Sequence, residues 1–168
     1  TTGLPKAARI SHLRFFNAGV SFATFHGITR ADRIYCPLPI YHSAAGMIGV
    51  SMSWFTGATI VLRRKFSASS FFKDCFENDC TVIQYIGQLC RYLLNTSESS
   101  WDRKHSVRKA IGNGLRKDVW QAFQTRFGVP YIGEFYGSTE GNATLINNYN
   151  KVGACGYIPW IVRTNTLN

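Results

Sequence analysis

Apolar and polar positions along the chain switch repeatedly between helical spacing and short β-branched runs. From Ser11 to about His26, Leu13, Phe16, Val20 and Ala23 recur every three or four residues, which predicts an amphipathic helix capped by Ser11. Ile34-Tyr35-Cys36 reads as a short strand running into the extended Pro37-Leu38-Pro39. The apolar stretch Ala44 to Phe55 reads as a buried helix, and Ala58 to Leu62 as a buried strand. Ser67 to Asn78 offers Ser caps and places Phe72, Cys75 and Phe76 on one helical face. A strand over Thr81 to Ile86, a helix over Gln88 to Leu94 and a strand over Val107 to Ile111 follow. Lys117 to Phe127 has Val119, Trp120, Phe123 and Phe127 at helical spacing and is stopped by Gly128 and Pro130; Tyr131 to Phe135 is the next strand. This order predicts an α/β fold: a layered, mostly parallel sheet with flanking helices.

In open α/β sheets ligands sit beyond the carboxyl ends of the strands. The loops there include Gly87, Gly112-Asn113-Gly114 and Tyr136 to Gly141. Tyr136-Gly137-Ser138-Thr139-Glu140-Gly141 directly follows a strand. Its aromatic ring can stack on a purine, its Thr hydroxyl can bond a phosphate, and its carboxylate can hold Mg²⁺ together with phosphate oxygens. By itself the hexapeptide fits a capped turn with a structural Tyr equally well. Thr1-Thr2-Gly3-Leu4-Pro5-Lys6 offers hydroxyls, backbone N–H groups and one cation to an anion. It is not a Walker loop, because Pro5 stands where the second Gly is needed, and alone it reads as a surface turn. His42, in Pro39-Ile40-Tyr41-His42-Ser43, stands at the mouth of the apolar helix, and no Ser or Cys pairing supports a hydrolase triad.

Composition narrows the field. Of 168 residues, 45% are hydrophobic and 17% charged, which suits one globular domain and excludes a disordered chain. The five cysteines, Cys36, Cys75, Cys80, Cys90 and Cys155, lack both the even count of a disulfide framework and the C-x-x-C spacing of a zinc site. The stretch from Ala44 to Phe55 is interrupted by Ser51 and Ser53 and falls short of the ~20 apolar residues of a membrane span. A formal charge of +10 implies an anionic partner, but the basic residues come in scattered short groups without a nucleic-acid motif. Nucleotide or coenzyme phosphates are the better match, and no nucleic acid is expected as a partner.

In order, Thr1–Lys6, Pro37 to Ser43, Gly112 to Gly114 and Tyr136 to Gly141 resemble the successive core motifs of the adenylate-forming, AMP-binding superfamily. The wording Phe66 to Ser70, Thr81 to Gly87, Cys90 to Leu94, Gly112 to Arg116 and Ile132 to Asn142 is similar to the fatty acid transport protein / very-long-chain acyl-CoA synthetase family. The resemblance runs from Thr1 to about Tyr157. It implies a ligase that joins a fatty acid to CoA through an acyl-adenylate, using ATP and Mg²⁺.

It further implies that Thr1, Thr2, Gly3 and Lys6 cradle the departing phosphates and that Tyr136, Gly137, Ser138 and Thr139 contact nucleotide. Glu140 would hold Mg²⁺, with Thr139, Glu140 and Lys6 as the catalytic set. Gly112, Asn113 and Gly114 would line the adenine pocket. His42, Tyr85 and Gly87 would lie against the acyl substrate, with the helix from Met47 to Trp54 as a further tunnel wall.

Residues 1–168 are expected to be an internal part of the N-terminal AMP-binding domain. The ribose-binding Asp, the hinge and the C-terminal domain with its Lys should lie past Asn168, so this stretch alone should not complete thioester formation. Membrane association, at the endoplasmic reticulum or plasma membrane with the catalytic domain facing the cytosol, would come through regions outside the chain. A fatty acid transporter or acyl-binding protein without essential ligase activity is the alternative reading.

Overall fold

The computed structural model describes residues 7–141 and 143–158. Thr1, Thr2, Gly3 and Lys6 therefore lie outside the described residues. The elements run α1 (His12–His26), β1 (Arg33–Cys36), a π-helical stretch (Ala44–Gly49) continuing into α2 (Val50–Thr56), and β2 (Thr59–Leu62). Then come α3 (Phe71–Glu77), β3 (Val82–Ile86), α4 (Gly87–Leu94), β4 (Lys109–Asn113), α5 (Lys117–Phe127), β5 (Tyr131–Tyr136) and β6 (Leu145–Asn147). The described strands form one six-stranded sheet in the order β2-β1-β3-β4-β5-β6. The first five are parallel and β6 returns antiparallel to β5. The α/β expectation from the alternating pattern is met, with helices on both faces of a mostly parallel sheet.

Local chemistry sets the helix ends. Ser11 is extended and its hydroxyl accepts the Arg14 N–H, while Gly27 closes α1 in the left-handed region. Gly57 and Gly128 do the same for α2 and α5. Helix α3 begins at Phe71, not Ser67: the Ser67 hydroxyl bonds those of Ser69 and Ser70, and such local bonds compete with helix formation. Its buried positions are Phe71, Phe72 and Cys75, and Phe76 stays exposed.

Side-chain alternation along the strands builds two cores. One face packs Ile34, Val82, Ile111 and Phe135 against Phe22 and Ala23 of α1, Ile48 and Met52. The other packs Tyr35, Ile83, Tyr85, Ala110 and Ile132 against α3, α4 and α5, with Trp120, Phe123 and Phe127 at its centre. The four expected α5 positions are all buried. Helix α1 is rotated from its simplest amphipathic reading. Gly19, Phe22, Ala23 and His26 face inward, while Leu13 and Phe16 remain exposed. The rotation follows from the contact with α2, where a Cβ on Gly19 would stand 2.6 Å from the Ser51 carbonyl oxygen. Only glycine allows that approach.

At the amino ends of the strands, Asp32 is fully buried and satisfied. It accepts hydrogen bonds from the Thr29 N–H, the Thr81 hydroxyl and the Arg108 guanidinium, the last at 2.6 Å. Nearby His26 is buried, with Nδ1 2.8 Å from the Tyr131 hydroxyl. Burial first, and the Lys109 charge second, push its pKa down to about 4.

A His with a depressed folded pKa binds fewer protons than the unfolded chain between about pH 6.5 and 4, so stability falls as pH drops through that window. The loss from His26 should total ~3 kcal/mol by pH 4. His105, also lowered by burial, acts in the same direction. Thermal midpoints measured from pH 7 to 4 should decline, and His26→Gln should flatten the decline; equal pH slopes in both proteins would count against this assignment.

Candidate functional site

Five parallel strands bring the carboxyl ends of β1, β3, β4 and β5 to one edge, and two cavities open there. The larger, about 1090 Å³, lies between α1, the start of the π-helical stretch and the loop after β5. Arg14, Ser43, Asn113, Ser138, Thr139 and Glu140 give it polar walls. The smaller, about 520 Å³, is walled largely by apolar side chains: Ile10, Phe15, Ile40, Tyr41 and Met47. His42, Ser43, Met47, Thr139 and Glu140 line both. Apolar side chains such as Phe22, Phe25 and Ile48 complete the larger cleft, so a mixed cleft and a mainly apolar one adjoin across one small group of side chains.

The loop from Gly137 to Gly141 is tied down at several points. The Thr139 hydroxyl donates to the Ser43 hydroxyl at 3.2 Å. The Arg14 guanidinium donates to the Thr139 carbonyl oxygen at 2.6 Å and also to that of Gly141. His42 Nδ1 accepts the Ala44 N–H at 3.2 Å, so a neutral ring carries its proton on Nε2 and can offer it to an anionic oxygen. The π-helical stretch begins immediately after Ser43, an irregularity frequently found at functional sites.

The structure brings together many, but not all, of the residues singled out from sequence. Asn113, Gly137, Ser138, Thr139, Glu140 and His42 converge on the larger cleft. Tyr136 ends β5 with 67% of its surface exposed and lines neither cavity. Met47 lines both, whereas Trp54 at the far end of the helix is exposed.

Tyr85 and Gly87 do not reach the cavities. The period-two alternation of β3 turns Tyr85 to the α4/α5 face, where it is 1% exposed and donates its hydroxyl to Glu134. Gly87 is buried beneath the loop after β4, where an added Cβ would stand 1.8 Å from the Gly114 carbonyl oxygen.

The described residues contain no cluster of three or more His, Cys, Asp or Glu side chains suited to a metal ion. One carboxylate in the cleft, Glu140 beside Thr139, fits Mg²⁺, which is commonly held by one or two carboxylates and substrate phosphates. The charge balance suits phosphates as well, since Arg9 and Arg14 share the cleft with that one acid.

The sequence profile described as "AMP-binding enzyme" matches residues 1–165. The chain belongs to that family. It is 50% identical over 157 residues to "Long-chain fatty acid transport protein 1" of Homo sapiens, covering 94% of this chain and 24% of the relative. It is 54% identical over 156 residues to "Long-chain fatty acid transport protein 2" of Rattus norvegicus, covering 93% and 25%. The chain thus spans about a quarter of the length of the curated relatives it matches. Among solved structures, o-succinylbenzoate coenzyme A synthetase of Bacillus subtilis in complex with AMP superposes with a TM-score of 0.74 at 26% identity. That match covers 95% of this chain and 33% of the neighbour. Family and fold together make this chain a member of the adenylate-forming ligases.

Three residues at the site carried no role in the sequence reading: Arg14, Ser43 and Glu134. Arg14 had one readable signal. Helix α1 has a cation and no acid in its first turn, which the helix dipole disfavours, so the residue there answers to something outside the helix. Removing its guanidinium in Arg14→Met should cost on the order of 1 kcal/mol for each charge-assisted bond lost. Each such kcal/mol should lower the thermal midpoint by roughly 2–4 °C, with faster amide exchange at residues 138–141. Unchanged exchange in that loop would show that Arg14 does not hold it.

Proposed function

We propose that the enzyme containing this chain is an ATP-dependent long- or very-long-chain fatty acid–CoA ligase. The observation that carries the reading is the junction of the larger, partly polar cleft with the smaller, mainly apolar one at His42, Ser43, Thr139 and Glu140. A nucleotide has phosphates and an acyl substrate has a hydrocarbon tail, and their reacting ends must meet where those environments touch. Support also comes from 50% identity to a protein named for long-chain fatty acid transport and from a fold shared with a coenzyme A synthetase.

In this reading the fatty carboxylate attacks the α-phosphorus of ATP, giving acyl-adenylate and pyrophosphate, and the CoA thiol then displaces AMP to form the thioester. Two anions must approach in the first step, so alignment and charge neutralisation carry the catalysis. His42 Nε2 is placed to donate to a carboxylate or phosphate oxygen. The Thr139 hydroxyl can turn from Ser43 to a phosphate, and Arg14 keeps its loop in place. Asn113 lines the larger cleft, and it is assigned to adenine together with Gly112, Gly114 and the exposed Tyr136 ring, which line neither cavity, on the strength of their motifs. Thr1, Thr2, Gly3 and Lys6 are assigned to the phosphates on the strength of their motif. Glu140 is assigned to Mg²⁺, which when bound would neutralise phosphate charge.

We further assign residues 1–168 to the AMP-binding domain from the phosphate loop past Tyr136–Gly141, with the C-terminal domain supplied by other parts of the polypeptide. No helix among the described residues is long and apolar enough to cross a membrane. Association with the endoplasmic reticulum or plasma membrane, catalytic domain toward the cytosol, is assigned to regions beyond this chain.

In the full-length protein, Glu140→Gln should abolish Mg²⁺-dependent pyrophosphate release across a panel of fatty acids of graded length, and full release by the variant would remove the ligase assignment from this residue. The relatives' printed names favour a second reading, in which the protein carries fatty acid without essential ligase activity. Uptake by cells expressing Glu140→Gln separates the two: uptake lost together with ligase activity favours trapping as CoA ester, and persistent uptake favours transport.

A further inference from the structure

Glu134 is a buried carboxylate that the proposed chemistry does not use. It lies in β5, 3% exposed, in register with Gly112 of β4. One carboxylate oxygen accepts the Leu115 N–H at 3.0 Å and the other accepts the Tyr85 hydroxyl at 2.5 Å. No Lys or Arg forms an ion pair with it among the described residues. Burial pushes its pKa up, opposed by the Tyr85 hydroxyl and by the Leu115 and Gly114 N–H groups. A glutamate kept in the core without a countercharge is a costly choice for mere filling, since an apolar side chain would seal the same space.

What it holds is the bend just past β4, where Gly114 and Leu115 have left the ladder that pairs Gly112 and Asn113 with β3. Gly114 has a φ of +80°, and the turn carries three residues without bulky side chains. The turn rests on backbone: a Cβ on Gly87 would collide with the Gly114 carbonyl, and a Cβ on Gly112 would stand 2.2 Å from the Tyr85 carbonyl oxygen. Glu134 also precedes Tyr136 by two residues on β5. It therefore connects the strand that ends in Tyr136 to the turn that presents Asn113 to the cleft.

We propose that Glu134 is a positioning residue for nucleotide binding, fixing the bend at Gly114 and Leu115, just past Asn113, relative to Tyr136, with Tyr85 and Gly87 as its supports. The proposal rests on the reading that this turn and Tyr136 are the walls of the adenine pocket. It gives Tyr85 and Gly87 a place in the site from beneath, in contrast to the direct substrate contact expected from sequence. The carboxylate touches no reacting atom; it sets the separation of the two walls between which a base slides. Leucine fills most of the same space but accepts nothing, so it would leave the Leu115 N–H and the Tyr85 hydroxyl without their partner.

The test uses the full-length protein, with initial rates of pyrophosphate release measured while ATP and fatty acid are varied separately. Glu134→Leu should raise the KM for ATP by about tenfold, the effect of losing the charge-assisted bond to Leu115, while the KM for fatty acid changes little. Tyr85→Phe keeps the Leu115 bond and loses one donor, so it should raise the KM for ATP by roughly two- to threefold. It also decides the matter if Glu134→Leu does not fold. Amide exchange at Leu115 in the nucleotide-free protein should quicken in Glu134→Leu and stay close to that of the unaltered protein in Tyr85→Phe, an effect that does not depend on what the site binds.

An unchanged KM for ATP in the folded variants overturns the proposal, as does a parallel rise in both KM values with a lowered thermal midpoint in Tyr85→Phe, the mark of a structural role only. Tyr136→Ala serves as the control for the underlying reading. If it leaves the KM for ATP unaltered, the adenine assignment fails and the proposal falls with it. If it raises that KM while the Glu134 and Tyr85 variants do not, only the positioning role fails.

Discussion

Five adjacent strands run in the same direction, and that pairing constrains the rest of the molecule. A parallel strand cannot be reached by a tight hairpin, so each connection must carry the chain back across a face of the sheet, here mostly as a helix. Both faces are covered as a result, and both must be apolar, which accounts for two separate cores on opposite sides of one sheet. The same constraint gathers the carboxyl ends of the strands at one edge. Loops that are far apart in sequence, after β1, β4 and β5, become neighbours there.

That edge combines a partly polar cleft with a mainly apolar one, and their polar and apolar sides have different structural origins. The polar side comes from backbone-rich loops rich in glycine and hydroxyls, steadied by Arg14 from α1. The apolar side comes from Ile40, Tyr41 and Met47 around the entry to the π-helical stretch, with Ile10 and Phe15. Substrates of mixed character, with a charged head and a hydrocarbon tail, suit such a boundary. The reacting ends would sit at His42, Ser43, Thr139 and Glu140. Beneath the surface, Glu134 links the Tyr85 hydroxyl to the Leu115 N–H and so holds the end of β4 from the core side.

Much of the fold was legible because secondary-structure periods are local. Lys117 to Phe127 could be read completely, since its four apolar positions, its Gly128 stop and its neighbour Pro130 all point to the same helix. The antiparallel β6 was not, because three residues, Leu145 to Asn147, are too few to show a period, and their pairing partner is set by β5. The inward face of α1 was also misread from spacing. Leu13 and Phe16 fit the amphipathic pattern, but the close approach at Gly19 to Ser51 decides which side of the helix turns in.

At the site, the sequence by itself determined the family and the identity of the loops, since ordered motifs such as Tyr136 to Gly141 survive as contiguous words. It also determined the fold class, because alternating strands and helices leave few ways to bury both kinds of surface. Tertiary structure alone decided which residues share the cleft and from which side. Strand alternation sends Tyr85 into the core and Gln84 to the opposite face, where it donates to the Ala44 carbonyl. Chain separation hides the rest: Arg14 and Thr139 are 125 positions apart, and Glu134 and Leu115 are 19 apart. Such contacts follow from where a sheet places its strand ends, and no local period records them.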